Sequence, residues 1–205
     1  MEEESIYGPY RPELEKIQQE LLDDINTLRS ELKEKNGIDP VEHVLSRIKA
    51  EDSMREKCVR KGLPVTTESA LTKIYDAVGI RVVCAFIDDI YKFRDHLVAL
   101  PGAEVIEEKD YIKHAKPNGY RSYHMILRMY GKFYAEIQLR TISQDTWAAL
   151  EHHIRYKHDL GKANEELIVS ELKRCADELA STDISMQTIK DMIFEENHTE
   201  ESETE

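Results

Sequence analysis

A carboxylate, an amide and a guanidinium recur at alternate positions within residues 133–141, as Glu136, Gln138 and Arg140. Alternate side chains of an extended strand share a face. Phe133, Ala135, Ile137 and Leu139 would then form an apolar face, with Tyr134, Glu136, Gln138 and Arg140 opposite. The preceding run, residues 120–130, puts Tyr120, Ser122 and His124 on one face, and Gly131-Lys132 between the runs signals a hairpin. If the two polar faces coincide, the hairpin displays Tyr, Ser, His, Glu and Gln together. A solvated sheet face would also be polar. The aromatic, the histidine and the helices available to cover the sheet point instead to a site. Glu136, on a rigid strand, could hold a hard metal ion such as Mg²⁺ or take a proton from a hydroxyl.

Metal binding needs a second ligand. Asp76 is well placed for it, just before a strand-like run, although a turn aspartate is the commoner reading. Arg81 lies inside that apolar run, where a guanidinium is costly unless it is paired or stacked; an edge position would leave it in solvent. Lys116-Pro117-Asn118-Gly119-Tyr120 is a tight turn able to offer a cation to phosphate and a ring to a base. Two basic clusters, Arg47 to Lys61 and Lys109 to Arg121, suit a compact polyanion or ordinary solvated charge. His152 and His153 are adjacent and would point to different faces of a helix, so they make a poor zinc pair. Neither an H-E-x-x-H string nor a G-x-x-x-x-G-K-[ST] loop occurs.

These residues need elements to hold them. Leu14, Ile17, Leu21, Ile25, Leu28 and Leu32 recur at helical spacing after Pro12, and Gly37 marks a stop. Residues 41–49 read as a short strand. Ser53-Met-Arg-Glu56 reads as a capping box opening a helix that ends near Gly62. A second short helix is expected over 68–77, a buried strand over 80–86, a helix over 88–100 and a weaker strand over 103–108. The hairpin of 120–130 and 133–141 follows, then helices over 146–156, 165–180 and 184–194. This order predicts an α+β fold, with a mixed sheet of about five strands flanked by helices. The organisation expected is a tail over residues 1–10, one domain over 11–195 and an acidic, disordered tail over 196–205.

The bulk properties narrow the class. The 205 residues carry a net charge of −13, which argues against coating nucleic acid by bulk charge. Three scattered cysteines give neither a disulfide framework nor zinc spacing and fit a reducing compartment. No apolar run reaches membrane-span length, and the opening Met1-Glu2-Glu3-Glu4 does not read as a secretory signal.

The string over residues 108–124, ending Lys116-Pro-Asn-Gly-Tyr-Arg-Ser-Tyr-His124, resembles the guanine-nucleotide motif of the RelA/SpoT synthetase domain. Glu136-Ile-Gln-Leu-Arg-Thr141, then Trp147, Glu151-His152 and Tyr156-Lys157, follow in that family's order, and Ser46-Arg-Ile-Lys49, Ser53, Lys57 and Asp76-Ala-Val-Gly-Ile-Arg81 resemble its ATP side. The resemblance covers residues 41–157 and is to the small alarmone synthetases. It implies a nucleotidyltransferase-like domain that moves the β,γ-pyrophosphate of ATP to the 3′-hydroxyl of GTP or GDP, with GMP a further candidate acceptor. It also implies no hydrolase activity, since 205 residues are too few for the further domains of long members.

By the same resemblance, Arg47 and Arg81 would sandwich adenine, and Lys49, Ser53 and Lys57 would hold the ATP phosphates. Asp76 and Glu136 would bind Mg²⁺, and Glu136 would help deprotonate the acceptor hydroxyl. Tyr120 would stack on guanine, with Lys116, His124 and Gln138 binding and orienting the guanine nucleotide. A cytoplasmic homotetramer is implied, with single-stranded RNA as a regulator in some relatives. Relatives activated by a bound alarmone have an aromatic and an asparagine where His43 and Asp145 stand. An acidic Asp145 would repel a polyphosphate, so weak activation is expected.

Overall fold

Val78–Cys84 (β2) and Phe133–Thr141 (β5) run parallel at the centre of a five-stranded sheet, because both are apolar enough to be buried on the side that faces the core. Val41–Ile48 (β1) pairs antiparallel with β2, and Tyr123–Met129 (β4) with β5; Ala103–Asp110 (β3) closes the far edge beside β4. The computed structural model describes residues 5–157 and 162–203, with side chains over 5–154 and 165–195. The expected mixed sheet is present, in the order β1-β2-β5-β4-β3.

One sheet face is the core. Leu14, Ile17, Leu21 and Ile25 of α1 (Arg11–Asn36) and Ile90, Phe93 and Leu97 of α3 (Ile87–Val98) are buried in one cluster with Val78, Ile80, Val82, Met125, Leu127, Ile137 and Leu139. α1 ends where the periodicity ends, with Gly37 at φ 69° accepting the left-handed turn. The other face is left for polar residues. It is flanked by α2 (Glu51–Arg60) at one end and by α4 (Ile142–Lys157) at the other. The Trp147 indole on α4 donates to the Leu172 carbonyl (2.8 Å) and ties α4 to the last helix, α5 (Lys162–Glu203). Among the described residues, no helix is long and apolar enough to cross a membrane.

Four expectations change. α2 begins at Glu51 rather than at a Ser53 cap; Ala50 precedes it and makes no side-chain cap, while Glu51 and Asp52 meet the positive helix end. The helix expected over 68–77 is a five-residue π-helical turn, Ser69–Lys73, a wider spacing that lets Ala70, Leu71 and Ile74 all be buried before β2. The two C-terminal helices are one. The Thr182 and Ser185 hydroxyls bond back to carbonyls one turn earlier, and Asp183 accepts from the Thr141 hydroxyl (2.6 Å), so tertiary packing carries the helix through Ser181-Thr182-Asp183. Its backbone continues to Glu203, through most of the stretch expected to be disordered; residues 204 and 205 lie outside the described residues.

The N-terminal tail is also partly built in. Ile6 and Tyr7 are buried, Tyr7 donates to the Lys49 carbonyl (2.6 Å), and Ser5 donates to Glu51 (2.7 Å). Residues 1–4 lie outside the described residues.

Candidate active site

The register assembles the polar face. Arg47 sits opposite Gly79, Gly79 opposite Glu136, Arg81 opposite Gln138, and Gln138 opposite His124. The expected alternation along β5 holds: Phe133, Ala135, Ile137 and Leu139 are buried in the core, and Glu136, Gln138 and Arg140 face the other way. A cavity of about 190 Å³ lies on this face between Arg47 and Arg81 and reaches Gly79, Glu136 and Gln138. Gly79 leaves room above the strand: the Arg47 Cγ is 3.8 Å from where a Cβ would stand. Arg81 is half-buried and flanks the same cavity as the more exposed Arg47. Its Nε is buried with no partner, while its Nη1 donates to Asp145 (3.2 Å). A flat ring between two such guanidiniums would be well stacked.

The carboxylates lie at the α2 end. Asp76 follows the π-helical turn, and its neighbour Tyr75 stacks on Tyr134 with ring centroids 4.3 Å apart. Asp76 Oδ2 accepts from Lys49 (2.9 Å) and from Lys57 (2.5 Å). Burial alone would raise the Asp76 carboxyl, but the two ammonium groups outweigh it and hold it below the usual carboxylate range. Its other oxygen, Oδ1, is buried and has no partner. Ser53 is exposed on α2, one turn before Lys57 and on the same side.

Glu136 lies 3.6 Å from the Nδ1 of His124, and Gln138 donates to its other oxygen (3.4 Å). The His124 contact lowers its carboxyl, against the effect of burial, so Glu136 is ionised at neutral pH. Two hard oxygen ligands with one buried oxygen unpartnered suit Mg²⁺, which takes one or two carboxylates and completes its shell with phosphate oxygens and water. Among the described residues there is no cluster of three or more His, Cys, Asp or Glu that could hold a metal.

On the other side of Glu136, Tyr120 is in the loop before β4 rather than in the strand. Its hydroxyl lies 2.8 Å from His124 Nε2 and accepts from Arg140 (2.6 Å). Lys116 Nζ lies between two rings, 4.6 Å from the Tyr111 centroid and 4.9 Å from that of Tyr120. Ser122, expected on the displayed face, is fully buried and donates to the Leu139 carbonyl (3.3 Å); a short polar side chain next to the sheet is drawn into the backbone ladder.

Gly119 sets the loop. Its φ of +91° is left-handed, and a Cβ there would meet the Ala176 Cβ at 2.7 Å and the Lys173 Cα at 3.1 Å. Replacing Gly119 by Ala is expected to cost about 1–3 kcal/mol of stability, measured by denaturant unfolding, because both strain and overpacking act there.

Two residues gain roles that sequence reasoning did not give them. Arg140 was placed on the polar face by alternation alone, without a function. It is almost fully buried and donates to Asp145 (3.0 Å), Tyr120 (2.6 Å) and Gln138 (3.2 Å). Asp145, expected to repel a polyphosphate, is instead neutralised by Arg81 and Arg140 through one oxygen, with His43 Nε2 at 3.8 Å from the other. The only advance signal for either was a charged residue where burial would need a partner.

Residues 46–161 match the region found in RelA / SpoT proteins. GTP pyrophosphokinase YwaC from Bacillus subtilis is 40% identical over 164 residues, 76% of each chain. GTP pyrophosphokinase YjbM from the same organism is 30% identical over 199 residues, 94% of this chain and 90% of that one. The crystal structure of small alarmone synthetase 1 from Bacillus subtilis, bound to its product pppGpp, superposes with a TM-score of 0.73 at 29% identity, covering 91% of this chain and 95% of that one.

Proposed function

The chain belongs to the RelA/SpoT family, and on that premise we propose that its polar sheet face brings ATP and a guanine nucleotide together around Glu136. The chain is a GTP pyrophosphokinase: it transfers the β,γ-pyrophosphate of ATP to the 3′-hydroxyl of GTP or GDP, giving pppGpp or ppGpp and AMP. The observation that carries the assignment of the site is the position of Glu136. It borders the cavity between Arg47 and Arg81 on one side and contacts His124 on the other.

In this reading Arg47 and Arg81 clasp the adenine. Lys49, Ser53 and Lys57 hold the ATP phosphates, the lysines leaving Asp76 to do so. Tyr120 stacks on guanine, and Lys116, His124 and Gln138 position the acceptor. Glu136, ionised, takes the proton of the 3′-hydroxyl as that oxygen attacks the β-phosphorus in line. Asp76 and Glu136 would hold Mg²⁺, which when bound neutralises charge on the phosphates. The unit is the domain of residues 11–195, extended by the packed segment before it.

Assembly as a homotetramer draws support from α5, where Ile184, Met186, Ile189, Met192 and Ile193 are all about half exposed or more. Cytoplasmic residence is consistent with nucleotide substrates and with three scattered, unpaired cysteines among the described residues. Single-stranded RNA as a regulator has the exposed basic pair Arg60 and Lys61 in its favour, against a net charge of −13.

Incubation of labelled ATP with GTP, GDP or GMP and Mg²⁺, with separation of products, tests the reading. Label is expected on GTP or GDP only when enzyme and both nucleotides are present. Transfer to no acceptor would leave a nucleotide-binding module instead.

A further inference from the structure

Arg140 and Tyr120 are joined by a hydrogen bond whose direction is fixed by chemistry. A guanidinium has donors and no acceptor. Arg140 therefore donates to the Tyr120 oxygen (2.6 Å), and the phenol must send its own hydrogen elsewhere. Among the described residues, the acceptor within its reach is His124 Nε2, at 2.8 Å. A ring nitrogen that accepts carries no hydrogen, so a neutral His124 then bears its hydrogen on Nδ1. Nδ1 is the atom that faces Glu136, at 3.6 Å from Oε1.

We infer that Tyr120 and Arg140 are positioning residues that lock His124 as its Nδ1–H tautomer and aim that hydrogen at Glu136. The neutral imidazole side chain in water favours the opposite tautomer, which would turn a lone pair toward the carboxylate. The lock thus decides whether His124 steadies Glu136 or repels it. Its anchor lies across the site. Arg140 also donates to Asp145 Oδ1 (3.0 Å), the same oxygen that accepts from Arg81 (3.2 Å). One carboxylate oxygen therefore connects the Arg81 cavity to the chain Arg140–Tyr120–His124–Glu136. Tyr120 then has two separable parts: a ring for the guanine and a hydroxyl for His124. The inference rests on the reading of Glu136 as the group that receives the acceptor's proton, but the tautomer itself does not.

Nitrogen-15 NMR of the imidazoles in the full-length, ligand-free protein reads the tautomer directly. Wild type is expected to show His124 protonated on Nδ1 with a pyridine-like Nε2, and Tyr120→Phe to move the hydrogen to Nε2. In steady-state kinetics Tyr120→Phe should lower kcat about 10- to 100-fold, the range for loss of an outer partner. Its acceptor KM should stay within about twofold, because the stacking ring is retained. Arg140→Met, which removes every donor at that position and frees the Tyr120 oxygen to accept from Nε2, should shift the tautomer in the same direction and gives a second reading if Tyr120→Phe is poorly folded. An Nε2–H or doubly protonated His124 in wild type would overturn the inference, as would a well-folded Tyr120→Phe with wild-type kcat. A wild-type protein with Nδ1–H His124 and no transfer activity would instead count against the proposed reaction alone.

Discussion

Glu136→Gln is expected to lower kcat by about 10²–10⁴-fold, the range for loss of a general base, while the protein stays folded. Glutamine has nearly the same shape, so the sheet face changes little. It cannot accept the hydroxyl proton, and it is a poor metal ligand. The Glu136 carboxylate has few partners, His124 at 3.6 Å and Gln138 at 3.4 Å, both long, so exchanging one oxygen for an amide nitrogen gives up little. The thermal midpoint should therefore stay close to wild type, with stability changed by less than about 1 kcal/mol. Turnover near wild type in this variant would remove Glu136 from the mechanism.

Asp76→Asn should behave differently, because Asp76 has a structural task as well. Its Oδ2 neutralises Lys49 and Lys57, whose side chains are only 13% and 21% exposed. Asparagine leaves two ammonium groups crowded together without a counter-charge. Loss of that charge, which leaves the two ammonium groups only a neutral acceptor, should destabilise the fold by about 1–3 kcal/mol, read from urea unfolding. Activity should also fall by at least about 10²-fold, because one of the two carboxylates that would hold Mg²⁺ is gone. The pair of variants separates the two carboxylates: one inactive at unchanged stability, the other inactive and less stable. If Asp76→Asn kept both activity and stability, neither role assigned to it would stand.

Much of this site is visible along the chain, and the reasons differ by residue. β5 follows its predicted bounds because alternation and Gly131 mark it locally. The shared face of Glu136, Gln138 and His124 follows from that alternation once the hairpin register is right. The bond between Arg81 and Asp145 joins residues 64 apart, across two elements whose mutual packing no local pattern specifies. Tyr120 was expected in a strand because its neighbours are strand formers, but Gly119 at φ +91° packs against α5 and holds the residue in a loop. α5 is one helix where the sequence reading gives two, over 165–180 and 184–194; between them Asp183 accepts from Thr141, 42 residues away, and packing carries the helix through. Local periodicity thus gave the strands and their faces, while side chains whose partners lie far along the chain showed their roles only in three dimensions.

In this reading the sheet face moves a pyrophosphate between two nucleotides. Phosphorus NMR of wild-type protein with ATP, GDP and Mg²⁺ tests it most directly. AMP and a guanine nucleotide bearing a diphosphate on its 3′-oxygen are expected, formed in equal amounts and only when both nucleotides are present. Release of phosphate or pyrophosphate to water, with GDP unchanged, would contradict it.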